Sequence, residues 1–150
     1  MEAESYGDDS VARFIKENFV TLGAHIKEHP AWFKRFGAVW TPTVIILDPN
    51  GEERWRIEGY LPKDEFQAQL LMGLARVAVM QKKWTDAEKL YGQVVDQFGK
   101  TASAPEALYW RDVSVYNRTH DHMPLQNVAA ELEKRYPESV WTKKASVWAA

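Results

Sequence analysis

The chain has no cysteine, and that absence excludes more than any residue present. Without a thiol there is no disulfide, no thiolate nucleophile, no cysteine metal site and no dithiol redox chemistry within these 150 residues. It leaves the compartment open, because a cysteine-free protein is at home in reducing and oxidising surroundings alike. A large charge of one sign is also missing. Nineteen Lys and Arg against 21 Asp and Glu leave −2, which argues against a broad electrostatic footprint for nucleic acid or an anionic membrane. No apolar run approaches the ~20 residues of a spanning helix. The first ten residues, MEAESYGDDS, are acidic and polar and show no secretory signal pattern. The cytoplasm is therefore the default expectation, although a removed leader leaves the same trace. Nucleophile elbows, phosphate loops and dinucleotide glycine motifs are absent as well.

What is present is the composition of a folded protein. Hydrophobic residues are 45% and charged residues 27%, which excludes general disorder. A chain of this length allows one or two domains and buries roughly 68–70% of its unfolded surface. Aromatics reach 13%, with seven Trp.

The first third reads as alternating elements. Val11, Phe14, Ile15 and Phe19 recur at helical spacing, with Ser10 as the expected cap and Asp8 and Asp9 as N-terminal charge. A β-rich run over 19–25 predicts a short strand. Pro30 suits the first turn of a second helix carrying Trp32, Phe33 and Phe36, with Gly37 as its stop. Thr43-Val44-Ile45-Ile46-Leu47 is a continuous β-branched apolar run, the pattern of a strand buried on both faces. Asp48-Pro49-Asn50-Gly51 is a turn. After it, Glu53-Arg54-Trp55-Arg56-Ile57-Glu58 alternates charged and apolar residues as a half-exposed strand does. The two strands are read as an antiparallel hairpin.

From Leu61 onward the period is helical. The stripes run through Phe66, Leu70, Leu71, Leu74 and Val77; then Trp84, Ala87, Tyr91, Val94 and Val95; then Ala107, Leu108, Trp110, Val113 and Tyr116; then Leu125, Val128, Ala129 and Leu132. A short last helix carries Val140, Trp141, Ala145 and Trp148. A break near 80–84 divides an α/β unit, residues 1–80, from an all-helical tail, residues 81–150. Leu71, Leu74, Ala75, Ala87 and Tyr91 stand at the offsets of a tetratricopeptide unit; Tyr109, Val113, Tyr116, Leu132 and Pro137 make a poorer copy. Two plain amphipathic hairpins bury the same residues.

Two histidine pairs, His25 with His29 and His120 with His122, have only Glu28 and Asp121 near them in sequence, too few ligands for a metal site. No metal and no cofactor is expected. The aromatics of the tail read as core, some of them available to a peptide if the helices form a groove.

Trp40-Thr41-Pro42-Thr43 is the most informative tetrapeptide. By base rates alone Pro42 is a trans strand-start proline. The order of elements around it changes that reading. A helix, a strand, Phe33-Lys34-Arg35-Phe36-Gly37, Thr41-Pro42-Thr43 before an apolar strand, Asp48 to Gly51, an alternating strand, then Glu58-Gly59-Tyr60 and a helix resembles the second half of a thioredoxin fold over about residues 8–80. The resemblance implies that Pro42 is cis and that the backbone at Thr41 meets an extended partner, as a strand added to an edge. Trp40, Thr41 and Pro42 are the peptide-binding residues so implied.

The departure is equally informative. The family's dithiol motif follows a strand that lies between those matching 19–25 and Thr43–Leu47, and neither that strand nor Cys-x-x-Cys occurs here; Met1 to Tyr6 resembles the later turns of the dithiol helix. Three outcomes are open: the flanking strands pair directly, another copy pairs or swaps a strand, or the chain is a fragment. Self-association ranks first, because unpaired edges and abundant Trp favour it. The functional expectation is a thioredoxin-like protein without a redox dithiol and without catalysis, binding an extended peptide or protein at the Trp40-Thr41-Pro42 loop or along the tail. The alternative is the C-terminal portion of a thiol–disulfide oxidoreductase whose Cys-x-x-Cys lies upstream of Met1. A self-assembling structural protein is a third class. Neither nucleic acid nor membrane is an expected partner.

Overall fold

The computed structural model describes residues 7–149. Helices α1 (Asp9–Asn18) and α2 (Pro30–Phe36) precede strands β1 (Thr43–Leu47) and β2 (Glu53–Glu58). Helix α3 (Lys63–Met80) follows, then α4 (Trp84–Gln97), α5 (Ala104–Thr119), α6 (Met123–Arg135) and α7 (Val140–Ala145), with a closing 3-10 turn at Ser146–Trp148. This is an α/β unit with a helical-hairpin tail, as the patterning predicts.

The cap of α1 is Asp8, not the expected Ser10. Its Oδ1 accepts from the Ser10 amide at 2.9 Å and the Val11 amide at 3.3 Å, and the Ser10 hydroxyl donates to the same oxygen. A carboxylate satisfies two orphan amides and favours the helix dipole, which a hydroxyl at Ser10 does not. The other oxygen, Oδ2, accepts from Lys63 Nζ at 2.8 Å, tying the start of α1 to the start of α3.

The hairpin is antiparallel, with Thr43 opposite Glu58 and Ile46 opposite Trp55. Asp48 Oδ1 accepts from the Asn50 amide at 2.8 Å, and Gly51, at φ 80°, completes the turn. Leu47 then pairs with Glu53, so Arg54 is an extra residue on β2. Such a bulge re-aims a side chain; here it sends Arg54 to Asp48, Nε to Oδ2 at 2.8 Å.

One face of the hairpin, carrying Val44, Ile46, Trp55 and Ile57, packs on Phe66 and Leu70 of α3 and on Val11 of α1. The opposite side of α3 gives Ala68, Leu71, Met72, Ala75 and Ala78 to a larger core shared with α4, α5, α6 and α7. Its small residues let neighbours approach closely. A Cβ built on Gly73 would stand 2.1 Å from Ile46 Cδ1 and 3.2 Å from Trp55 Cβ. In the tail, Tyr91 is wholly buried, and burial pushes its phenol up to about 12. Tyr109 stacks on Trp148 and tilts against Trp141, with centroids 5.0 and 5.1 Å apart.

The expected strand over 19–25 does not form: those residues are irregular, and the described sheet has two strands. A β-rich composition supplies side chains that suit a pleat, but a strand exists only when its amides are paired. Direct pairing of 19–25 with β1 is therefore not the solution this chain adopts. Val20 and Leu22 are exposed. The expectation for Met1 to Tyr6 lies outside the described residues.

Candidate functional site

Pro30 opens α2, and Gly37, at φ 58°, closes it with its amide donating to the Lys34 carbonyl at 3.3 Å. No residue of α2 is buried. The helix stands off the hairpin, held by the Arg56 guanidinium, which donates to the Phe36 carbonyl. Arg56 is itself fixed by Glu53, Nε to Oε1 at 2.7 Å.

The chain then passes through Val39 and Trp40, both exposed, Trp40 at 67%. The Thr41–Pro42 peptide is cis. Two bonds hold the loop: Thr43 Oγ1 donates to the Trp40 carbonyl at 2.7 Å, and the Gly59 amide donates to the Pro42 carbonyl at 2.8 Å. Among the described residues the backbone of Thr41 has no partner. The three residues singled out in the sequence thus form one exposed loop at the start of β1.

The loop opens on a trough of about 1180 Å³ that follows the unpaired edge of β1. Leu74 and Val77 of α3, Phe33 and Phe36 of α2, and Phe19, Val20 and Leu22 of the segment between α1 and α2 form its wall. This is larger than the roughly 300–1,000 Å³ of a small-molecule site. Sequence reasoning missed the wall, since Val20 and Leu22 read as strand residues; their apolar character was the available signal.

The first 73 residues match the family model described as the thioredoxin-like domain. The chain carries a thioredoxin-like domain. No curated protein and no solved structure matches the chain. These 150 residues contain no cysteine, so the thioredoxin-like part described here holds no Cys-x-x-Cys and no thiol of its own for disulfide exchange.

His29 stacks on Trp32 at 5.2 Å, His122 lies 5.1 Å from Tyr116, and His25 Nδ1 accepts from the Lys27 amide at 3.3 Å. Among the described residues no group of three or more metal-ligating side chains exists, and no helix is long and apolar enough to cross a membrane.

Asp48 is the one carboxylate lining the trough. Burial raises its pKa, but the amides of Glu52 and Asn50 and the Arg54 guanidinium outweigh it and hold the carboxyl below the usual aspartate range. A depressed native pKa contributes stability that is present above the unfolded value and is lost as pH falls through the native one. The hairpin is therefore expected to loosen only in strong acid. Asp48→Asn should remove that acid step and lower stability at neutral pH. Proton titration of the hairpin amides by NMR reads both, and an unchanged acid limb in the variant refutes the assignment.

Proposed function

We propose that the chain acts by binding, not by catalysis, and that the Trp40-Thr41-Pro42 loop of the thioredoxin-like domain grips an extended peptide or protein segment. The observation that carries this reading is the conjunction of an exposed Trp40 with an unpartnered Thr41 backbone at the mouth of an apolar trough. An exposed indole beside free backbone groups is the composition of an interface hot spot, an apolar anchor next to polar atoms that fix direction. The tail is the weaker candidate, because Tyr109, Trp110, Trp141 and Trp148 pack against its own core.

Peptides selected from a random displayed library on the wild-type chain should lose affinity about 30-fold on Trp40→Ala, the ~2 kcal/mol of a hot-spot anchor. Equal binding to wild type and variant by calorimetry removes the loop from consideration. The trough along β1 favours a second reading, the downstream portion of a thiol–disulfide oxidoreductase. In-frame genomic sequence upstream of the Met1 codon encoding a strand and Cys-x-x-Cys establishes it; an in-frame stop codon there removes it.

A further inference from the structure

We propose that Glu106 is a proton-operated latch on the seam between α3 and α5, closed while its carboxyl carries a proton and loosened once the proton leaves.

Most of that seam is hydrogen-bonded in pairs. The Ala102 amide, at the start of α5, donates to both carboxylate oxygens of Glu65, at 2.9 and 3.2 Å. Gln69 Nε2 donates to Ser103 Oγ at 2.9 Å, and Gln69 Oε1 accepts from Trp55 Nε1 of β2 at 2.7 Å. Glu65, Gln69 and Arg76 fall on one side of α3, and Ser103, Glu106 and Trp110 on one side of α5, at the spacings that bring helical residues onto a common face. The last rung breaks the pattern. Arg76 Nη2 stands 4.0 Å from Glu106 Oε1, beyond the reach of a hydrogen bond. The guanidinium lies instead over the Trp110 ring, 4.8 Å from its centroid, with the Trp55 ring at 6.0 Å.

Glu106 is thereby left without a donor. Among the described residues its carboxylate accepts no hydrogen bond, and its side chain is only 22% exposed. Burial penalises the charged form of a carboxyl, and hydrogen bonds to the charged form are what normally offset that cost. The groups that face it come from three other helices. Arg76 of α3 and Lys144 of α7 favour the ionised form, and Lys144 lies over the Trp141 ring at 3.9 Å. Tyr91 of α4 feels the charges of both Arg76 and Glu106, and its hydroxyl is buried without a partner. The hairpin contributes Trp55, which is uncharged. Burial outweighs the two cations, and the carboxyl sits above the ordinary glutamate range.

The sign follows. An acid whose native pKa is raised binds its proton more tightly in the folded chain than in the unfolded one. The stability it contributes is fully present below the unfolded value and is lost as pH rises through the native value. The seam therefore firms in mild acid and loosens toward neutrality, the reverse of the effect of Asp48. Because Arg76 lies between Trp55 of β2 and Trp110 of α5, the loosening falls on the contact between the hairpin and the tail.

The test uses the full chain. The Glu106 Cδ resonance, followed by NMR as pH is varied, should titrate with a midpoint above that of a blocked glutamate peptide, and Arg76→Met should move the midpoint higher still. Glu106→Gln copies the neutral carboxyl. Its denaturant midpoint should coincide with that of the wild-type chain below the ordinary glutamate range and exceed it at neutral pH, where the α5 amides should exchange about threefold more slowly in the variant. A Glu106 midpoint at or below the peptide value overturns the latch. So does a Glu106→Gln chain less stable than wild type at neutral pH, which makes the carboxylate an ordinary ion-pair partner of Arg76. A midpoint that Arg76→Met leaves in place or lowers overturns it as well. If either variant fails to fold, the titration of the wild-type carboxyl alone decides.

Discussion

Replacing Phe66 by Ala is expected to unfold the hairpin side of the molecule while the helical tail stays folded. Phe66 is 2% exposed and belongs to a cluster of five buried residues, with Val11, Ile46, Ile57 and Leu70. Truncating a buried Phe to Ala costs about 3–5 kcal/mol through lost transfer energy and the cavity left behind. Seven partly buried residues surround this small cluster, and only Phe14 and Trp55 of them also pack on the larger one. The larger cluster numbers fifteen buried residues and includes no part of the hairpin among them. Hydrogen exchange should show the amides of β1 and β2 deprotected in the variant, with those of α4 and α5 still slow and the far-UV helical signal largely kept. Leu108→Ala is the control. That residue is fully buried in the larger core, and its loss, about 2–5 kcal/mol, should lower the main transition by roughly 4–20 °C. Simultaneous loss of protection in β1 and α4 on Phe66→Ala would show the two cores to be one cooperative unit.

Gly73→Val is the second substitution expected to be severe. Glycine in the middle of a helix normally weakens it by about 0.5–1 kcal/mol relative to alanine. Here it is required, because the strand lies where a side chain would be: the built Cβ meets Ile46 Cδ1 at 2.1 Å and Trp55 Cβ at 3.2 Å. The Ile46 terminus can rotate, but the Trp55 Cβ is anchored to β2. Overpacking of this kind costs about 1–3 kcal/mol, and valine, with two further methyls, should reach the upper end. Gly73→Ala should be milder, and Ile46→Val should rescue it, since that change deletes the atom in closest conflict. Denaturant midpoints of the four chains in the cycle measure the coupling. Strict additivity of Gly73→Ala and Ile46→Val contradicts the close approach.

The sequence announced some of this architecture and concealed the rest for definable reasons. The hairpin was legible because Asp48-Pro49-Asn50-Gly51 is turn chemistry and the residues after it alternate. The bulge at Arg54 was not, because Glu53-Arg54-Trp55-Arg56 alternates identically in either register. The helices of the tail were legible from their stripes, and Ala87, Tyr91, Val94, Val95, Leu108, Val128 and Leu132 are buried. Residues 19–25 misled because propensity describes the chain's own preference, while a strand also needs a neighbour to bond. The Trp40-Thr41-Pro42 loop was marked by its tetrapeptide, yet the exposure of Trp40 and the trough below it depend on α2 standing clear of the hairpin. Nothing local in Pro30–Phe36 encodes that distance; Trp32, Phe33 and Phe36 are the helix's apolar residues, and none of them is buried.

The double duty of α3 means that the molecule has no clean place to be cut. Cleaving after Met80 would strip Leu71, Met72, Ala75 and Ala78 of the helices that cover them, and cleaving before Lys63 would bare Phe66 and Leu70 instead. Either half, made alone, carries a sticky greasy flank into water, so the two must be inherited, expressed and studied as a single piece.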